Sequence, residues 1–114
     1  MKYAILIYEP EAVTEAMTKD EGKSRIETHR ALQGKLRASG KLGPVARLMP
    51  TTAATTLRRS LVIDGPFAET KEQLVGFYVL DCDSLDEAIA AAKMLPDDTG
   101  SLEVRPLGWF HRGG

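Results

Sequence analysis

Many function classes leave marks that this sequence does not carry. Cys82 is the only cysteine, so an intramolecular disulfide and every paired-cysteine metal or redox site are excluded. The two histidines, His29 and His111, share no metal-ligand spacing with each other or with Cys82, and no metal is expected. Neither a phosphate-cradling glycine motif nor an HExxH pair is present, and no nucleotide cofactor is expected. No apolar run approaches the roughly 20 residues of a spanning helix, so no membrane partner is expected. The formal net charge is only −1, which gives no electrostatic footprint for nucleic acid. Linkers, low-complexity segments and short-period repeats are missing too.

What is present is an ordinary globular composition, 43% hydrophobic and 27% charged over 114 residues. That is enough for a single domain, residues 1–114, with one modest core. Residues 1–9 have a short apolar centre and no cleavage-like small-residue site, so they read as a strand and not as a signal peptide. With one unpaired cysteine, a cytoplasmic location is the expectation.

Residues 2–8 alternate Tyr3, Ile5 and Ile7 with Ala4, Leu6 and Tyr8, which makes a strand apolar on both faces. Pro10 suits the first turn of a short helix, and Lys19-Asp20-Glu21-Gly22 is expected to interrupt it. A longer helix is predicted over 23–39, closed near Gly40, with Ile26, Leu32 and Leu36 as its apolar stripe and His29 on that stripe. Residues 41–49 read as an extended segment broken by Gly43-Pro44, hence an edge strand or a bulge. Residues 55–63 read as one strand, with Arg58 and Asp64 on a common face. Residues 75–81 form another. Ser84-Leu85-Asp86-Glu87 reads as a capping box opening a helix that buries Leu85, Ala88, Ile89, Ala92 and Leu95. A last strand spans Leu102 and Val104, followed by an aromatic tail with Trp109 and Phe110.

The order β, α, β, β, β, α, β lets helices cover one face of a sheet. Yet residues 3–8 and 77–82 are apolar on both faces. A face-to-face homodimer resolves this; cover by the Trp109 tail is the alternative.

The most concentrated polar chemistry follows the strand Leu61-Val62-Ile63. The run Asp64-Gly65-Pro66-Phe67-Ala68-Glu69-Thr70-Lys71-Glu72-Gln73-Leu74, followed by Gly76-Phe77-Tyr78, resembles the signature of the DGPF-domain proteins, a branch of the YCII-related family. The resemblance extends to residues 3–8, 55–58, 84–88 and 100–106. It departs at Val75, where the family often has a glycine. It implies a ferredoxin-like α+β subunit, with an antiparallel sheet and two main helices on one face, assembled as a dimeric α+β barrel. Relatives are suggested to place a helix histidine and an aspartate as an acid/base dyad at the dimer cleft. Carried over, these are His29 and Asp64. The function so implied is a small-molecule enzyme with lyase-like proton chemistry. The alternative is a non-catalytic ligand-binding or regulatory accessory dimer, because relatives are often encoded near sigma factors of the extracytoplasmic-function type.

Each candidate also has a plainer role. His29 is either a proton-transfer group tuned near neutral pH or a satisfied structural histidine. Asp64 either pairs with it or caps the Gly65-Pro66 turn. Lys71 and Glu69 either line a pocket, with Lys71 clamping an anion, or belong to a solvated loop. Arg58 binds a carboxylate or serves the dimer interface. Tyr3, Tyr8 and Tyr78 read as core or interface aromatics, with Tyr78 also a candidate ligand contact. Asp64, Glu69 and Lys71 are expected together at a cleft mouth within reach of His29.

Overall fold

A computed structural model describes residues 1–111 and 113. The chain runs β1 (Lys2–Glu9), α1 (Glu11–Glu15), α2 (Lys19–Ala38), β2 (Leu42–Arg47), β3 (Thr55–Arg58), β4 (Leu61–Asp64), β5 (Gln73–Asp81), α3 (Leu85–Ala92) and β6 (Ser101–Pro106). β1 lies inside the main sheet, paired antiparallel with both β5 and β6. β2 adds outside β5, giving four antiparallel strands in the order β2-β5-β1-β6. This is the expected α+β, ferredoxin-like arrangement.

Period-two alternation decides which side chains meet the helices. Tyr3, Ile5 and Ile7 of β1 share a face with Tyr78 and Leu80 of β5. Leu32 and Leu36 of α2 and Ala88, Ala91 and Ala92 of α3 close over them, with Cys82 and Leu95 completing the buried cluster. Each large aliphatic side chain buried there stabilises the fold by about 1.5–3 kcal/mol. The opposite face carries Ala4, Leu6, Phe77 and Val79, and no helix covers it. Trp109 is 81% exposed, whereas Phe110 lies under the Lys2 ammonium at the edge of that face, and Ala4 and Val79 are only 7% and 8% exposed.

α2 starts earlier than its polar first turn suggests. Thr18 accepts from the Glu21 N–H at 3.1 Å and the Glu21 carboxylate accepts from the Thr18 N–H at 3.0 Å, a complete capping box. The run 19–22 is therefore the first helical turn and not a break. Ile26 stands half exposed, outside the core. At α3 only half of the expected box forms. Ser84 accepts from the Glu87 N–H at 3.2 Å, while the Glu87 carboxylate pairs with Lys41. Leu85 is correspondingly exposed and Ala91 buried in its place. The break in β2 appears as foreseen: its register against β5 shifts between Leu42 and Val45.

The single strand expected over 55–63 is a hairpin. β3 and β4 form their own two-stranded sheet, with Thr55 opposite Asp64 and Arg58 opposite Leu61. Arg59 and Ser60 make the turn at φ 49° and 68°, the left-handed pair that a two-residue hairpin loop needs. Arg58 and Asp64 consequently lie at opposite ends and on opposite faces of the ribbon. Leu57 and Val62 are 71% and 74% exposed, so the ribbon projects. The radius of gyration is 15.4 Å, against about 13 Å for a compact domain of this length.

Gly100 lets the chain pass close to β1 on its way into β6. A Cβ there would sit 2.1 Å from the Tyr8 carbonyl oxygen and 3.1 Å from Glu9. Gly100→Ala is expected to cost about 1–3 kcal/mol, as overpacking does, read as a lowered urea midpoint. An unchanged midpoint would show that the loop moves aside freely.

Candidate functional site

The site begins with helical spacing. Arg25, His29 and Gln33 recur at every fourth residue of α2, one stripe pointing to the sheet. Opposite them stands Tyr78 of β5. The Tyr78 hydroxyl lies 2.7 Å from His29 Nδ1 and accepts from Gln33 Nε2 at 3.1 Å. The two rings are near-parallel, with centroids 5.8 Å apart. The orientation that uses every group runs from the Gln33 amide to the Tyr78 oxygen, and from the Tyr78 hydroxyl to Nδ1. Neutral His29 then carries its hydrogen on Nε2.

This chain of hydrogen bonds forms the wall of a cleft of about 590 Å³ between the helices and the sheet. Burial pushes the His29 pKa below its ordinary value, the Arg25 charge lowers it further, Glu9 opposes, and Arg47 adds to the depression. Burial raises the Tyr78 pKa against the opposing hydrogen bond from Gln33. At neutral pH the pair is therefore imidazole and phenol, both uncharged.

The floor of the cleft depends on Gly76. This residue pairs with Ile7 on one side and Arg47 on the other. A Cβ there would approach the Ala46 carbonyl oxygen to 2.7 Å, so only glycine fits. The missing side chain lets the β2 backbone at Ala46 and Arg47 come close against β5. Beneath one end lies Glu9, 8% exposed. Its carboxylate pairs with Arg25 and accepts from Thr14 Oγ1 at 2.8 Å. Arg25 also donates to Thr99 Oγ1 at 3.1 Å.

Of the residues singled out from sequence, His29 and Tyr78 meet here. Asp64, Glu69, Lys71 and Arg58 do not line the cleft of the single chain; all four are exposed on the ribbon and the loop after it. The Asp64 carboxylate makes no hydrogen bond among the described residues, so it does not cap the Gly65-Pro66 turn; that segment is held by Gly65 N–H to Ala54 O at 2.8 Å and by Thr56 Oγ1 to Gly65 O at 2.8 Å. Gln33, Arg25, Glu9 and Arg47 escaped sequence reading. The fourfold spacing of Arg25, His29 and Gln33 is the signal that could have found three of the site's polar groups. Among the described residues no cluster of three or more His, Cys, Asp or Glu could hold a metal ion. No helix of the described residues is long and apolar enough to cross a membrane.

Fold and cleft together define a ferredoxin-like α+β domain with a histidine-bearing pocket under its helical layer. The chain belongs to the YCII-related family, whose domain matches residues 1–110. It is similar to an uncharacterized protein of Rhizobium meliloti (strain 1021), with 54% identity over 99% of this chain and 97% of that protein.

The His29 titration midpoint, read by NMR, is expected below that of free histidine. Because the folded pKa is depressed, the unfolded chain takes up this proton first. The stability contribution is full above the ordinary value of 6.5 and is lost as pH falls through the folded midpoint. Tyr78→Phe should cost about 0.5–1.5 kcal/mol and make the Nδ1–H tautomer detectable. A midpoint at or above the free value would contradict the buried, neutral ring.

Proposed function

We propose that this protein acts on a small organic molecule held in the cleft, with His29 as the acid–base group in lyase-like proton chemistry and Tyr78 as its partner. The observation that carries this reading is the Gln33–Tyr78–His29 chain. It sets an imidazole, neutral at working pH, on the wall of a cavity large enough for a metabolite. In the tautomer that chain favours, Nε2–H donates to a substrate oxygen and stabilises negative charge developing there. In the other tautomer, reached when Nε2 releases its proton to solvent and Nδ1 takes one up and donates it to the rotated Tyr78 hydroxyl, Nε2 is a base for a carbon-bound or hydroxyl proton.

The carboxylate of the implied dyad, Asp64, does not reach this cleft within one chain. We assign it, with Arg58, Glu69 and Lys71, to the cleft of a second copy, delivered by the projecting ribbon. Two features support a homodimer built this way, which we place in the cytoplasm: the apolar sheet face that carries no helix and the exposed aliphatic side chains of β3 and β4. Patches of this kind mark association surfaces.

One observation favours a second reading. The partner of His29 is a phenol and not a carboxylate, an arrangement that holds a ligand as readily as it moves a proton. In that case the protein is a ligand-binding accessory dimer, and a regulatory link to sigma-factor signalling belongs to it.

A metabolite screen by thermal shift separates these readings. A ligand at a hundred times its Kd stabilises by about 2.7 kcal/mol, and that shift should vanish in His29→Ala. Turnover of the hit, lost in both His29→Ala and Asp64→Asn, supports the enzyme; binding without turnover supports the accessory role. Sedimentation at micromolar concentration should show a dimer, and a lone 12.5 kDa species would sink the shared-cleft arrangement.

A further inference from the structure

We propose that the cleft selects a small organic carboxylate with an apolar body, a substrate class that rests on reading this cleft as the small-molecule site. The ionised groups lining it balance in number, three glutamates and three arginines, but they are not equally free to meet a ligand. Glu9 is neutralised by Arg25 and engaged by Thr14. Glu11 is committed to the 3-10 turn that follows β2, accepting from the Thr51 N–H at 2.8 Å and from the Thr51 hydroxyl. That leaves Arg30, Arg47 and Glu15 among the charged lining groups. Neither arginine forms an ion pair among the described residues, nor does Glu15, which stands on α1 and is exposed.

Arg47 has the position that matters. It faces the cleft across Gly76, the residue without a side chain, and its charge is felt at His29. A guanidinium offers a planar fork of donors that matches a carboxylate bidentately. Nε2–H of neutral His29 is a further donor on the same side. Donors thus dominate the polar wall, which suits an acceptor-rich anion.

The remaining wall is aliphatic and unfinished. Ile26, Val45, Leu48 and Met49 are 49%, 38%, 42% and 77% exposed, yet all four line the cleft. Ile26 fails to join the core because it turns to this opening from α2, while the other three approach from the end of β2. Apolar groups flanking a polar corner bind a molecule with a charged head and a hydrocarbon body.

The test uses the full chain and follows the His29 ring resonances by NMR, assigned with His29→Gln. Hexanoate and phenylacetate are titrated against hexanamide and phenylacetamide, with inorganic phosphate as a separate arm. Each carboxylate is expected to bind at least tenfold tighter than its own amide, about 1.4 kcal/mol, and to raise the His29 midpoint, since an adjacent anion favours the imidazolium. Arg47→Gln, at an exposed position, should bring the carboxylates down to the amide level and leave the amides unchanged. Arg30→Gln repeats the comparison at the second cation. Amides binding as tightly as carboxylates would overturn the anion preference and leave the small-molecule reading standing. Phosphate binding as tightly as the carboxylates would overturn the apolar-body requirement. No response of His29 to any of the five compounds would remove both the carboxylate class and the cleft reading beneath it.

Discussion

The buried pair between Glu9 and Arg25 holds the site together. Glu9 ends β1 and Arg25 stands in the second turn of α2, so the pair fixes the start of the long helix to the sheet. Thr14 of α1 and Thr99 of the loop before β6 attach to the same two side chains. One ion pair therefore joins four segments. A largely buried pair of this kind is weak evidence for net stability, because desolvation offsets much of the attraction, but removing Arg25 alone leaves the Glu9 carboxylate buried without its counter-charge and costs about 3–5 kcal/mol, whereas Arg25 has a second partner in Asp98. What the pair supplies here is position: it sets the tilt of α2, and with it the place of His29 and Gln33 over Tyr78. The same two charges act on His29 in opposite directions, Arg25 holding its pKa down and Glu9 pulling it up.

The sheet was legible wherever local pattern and global fold agreed. The two-faced apolar runs of β1 and β5, the Gly43-Pro44 break in β2 and the Ser84 cap all followed from residue chemistry. The hairpin over 55–64 was not legible, because its turn uses Arg59 and Ser60 at positive φ in place of the Asn-Gly or Asp-Gly that announces such a loop. The start of α2 was hidden for the opposite reason. Lys19-Asp20-Glu21-Gly22 looks like a breaker, and only the reciprocal bonds of Thr18 and Glu21 make it a helical turn.

His29 was legible as a candidate, but its partner was not. Tyr78 lies in a strand whose apolar pattern explains it fully, and nothing nearby in sequence points to a histidine 49 residues earlier. The polar signature loop attracts attention for its density of charge, whereas the cleft of the single chain is built from residues scattered over α2, β2 and β5. Gly76 is where the two meet: it belongs to the signature, and its contribution is the close approach of β2, whose Ala46 carbonyl stands where a side chain would be.

The sheet order has a consequence for how the protein is made. β1, the earliest strand in the chain, needs β5 on one side and β6 on the other. Ile7 cannot find Gly76 until almost all of the intervening chain has been synthesised. Closing so long a loop precedes the contacts that reward it, which slows folding. During that interval Ile5, Leu6 and Ile7 are without their strand partners, and the nascent chain depends on α2 folding back early to shield Ile5 and Ile7. The sheet is therefore begun at its middle with β1 and completed at its edge with β6.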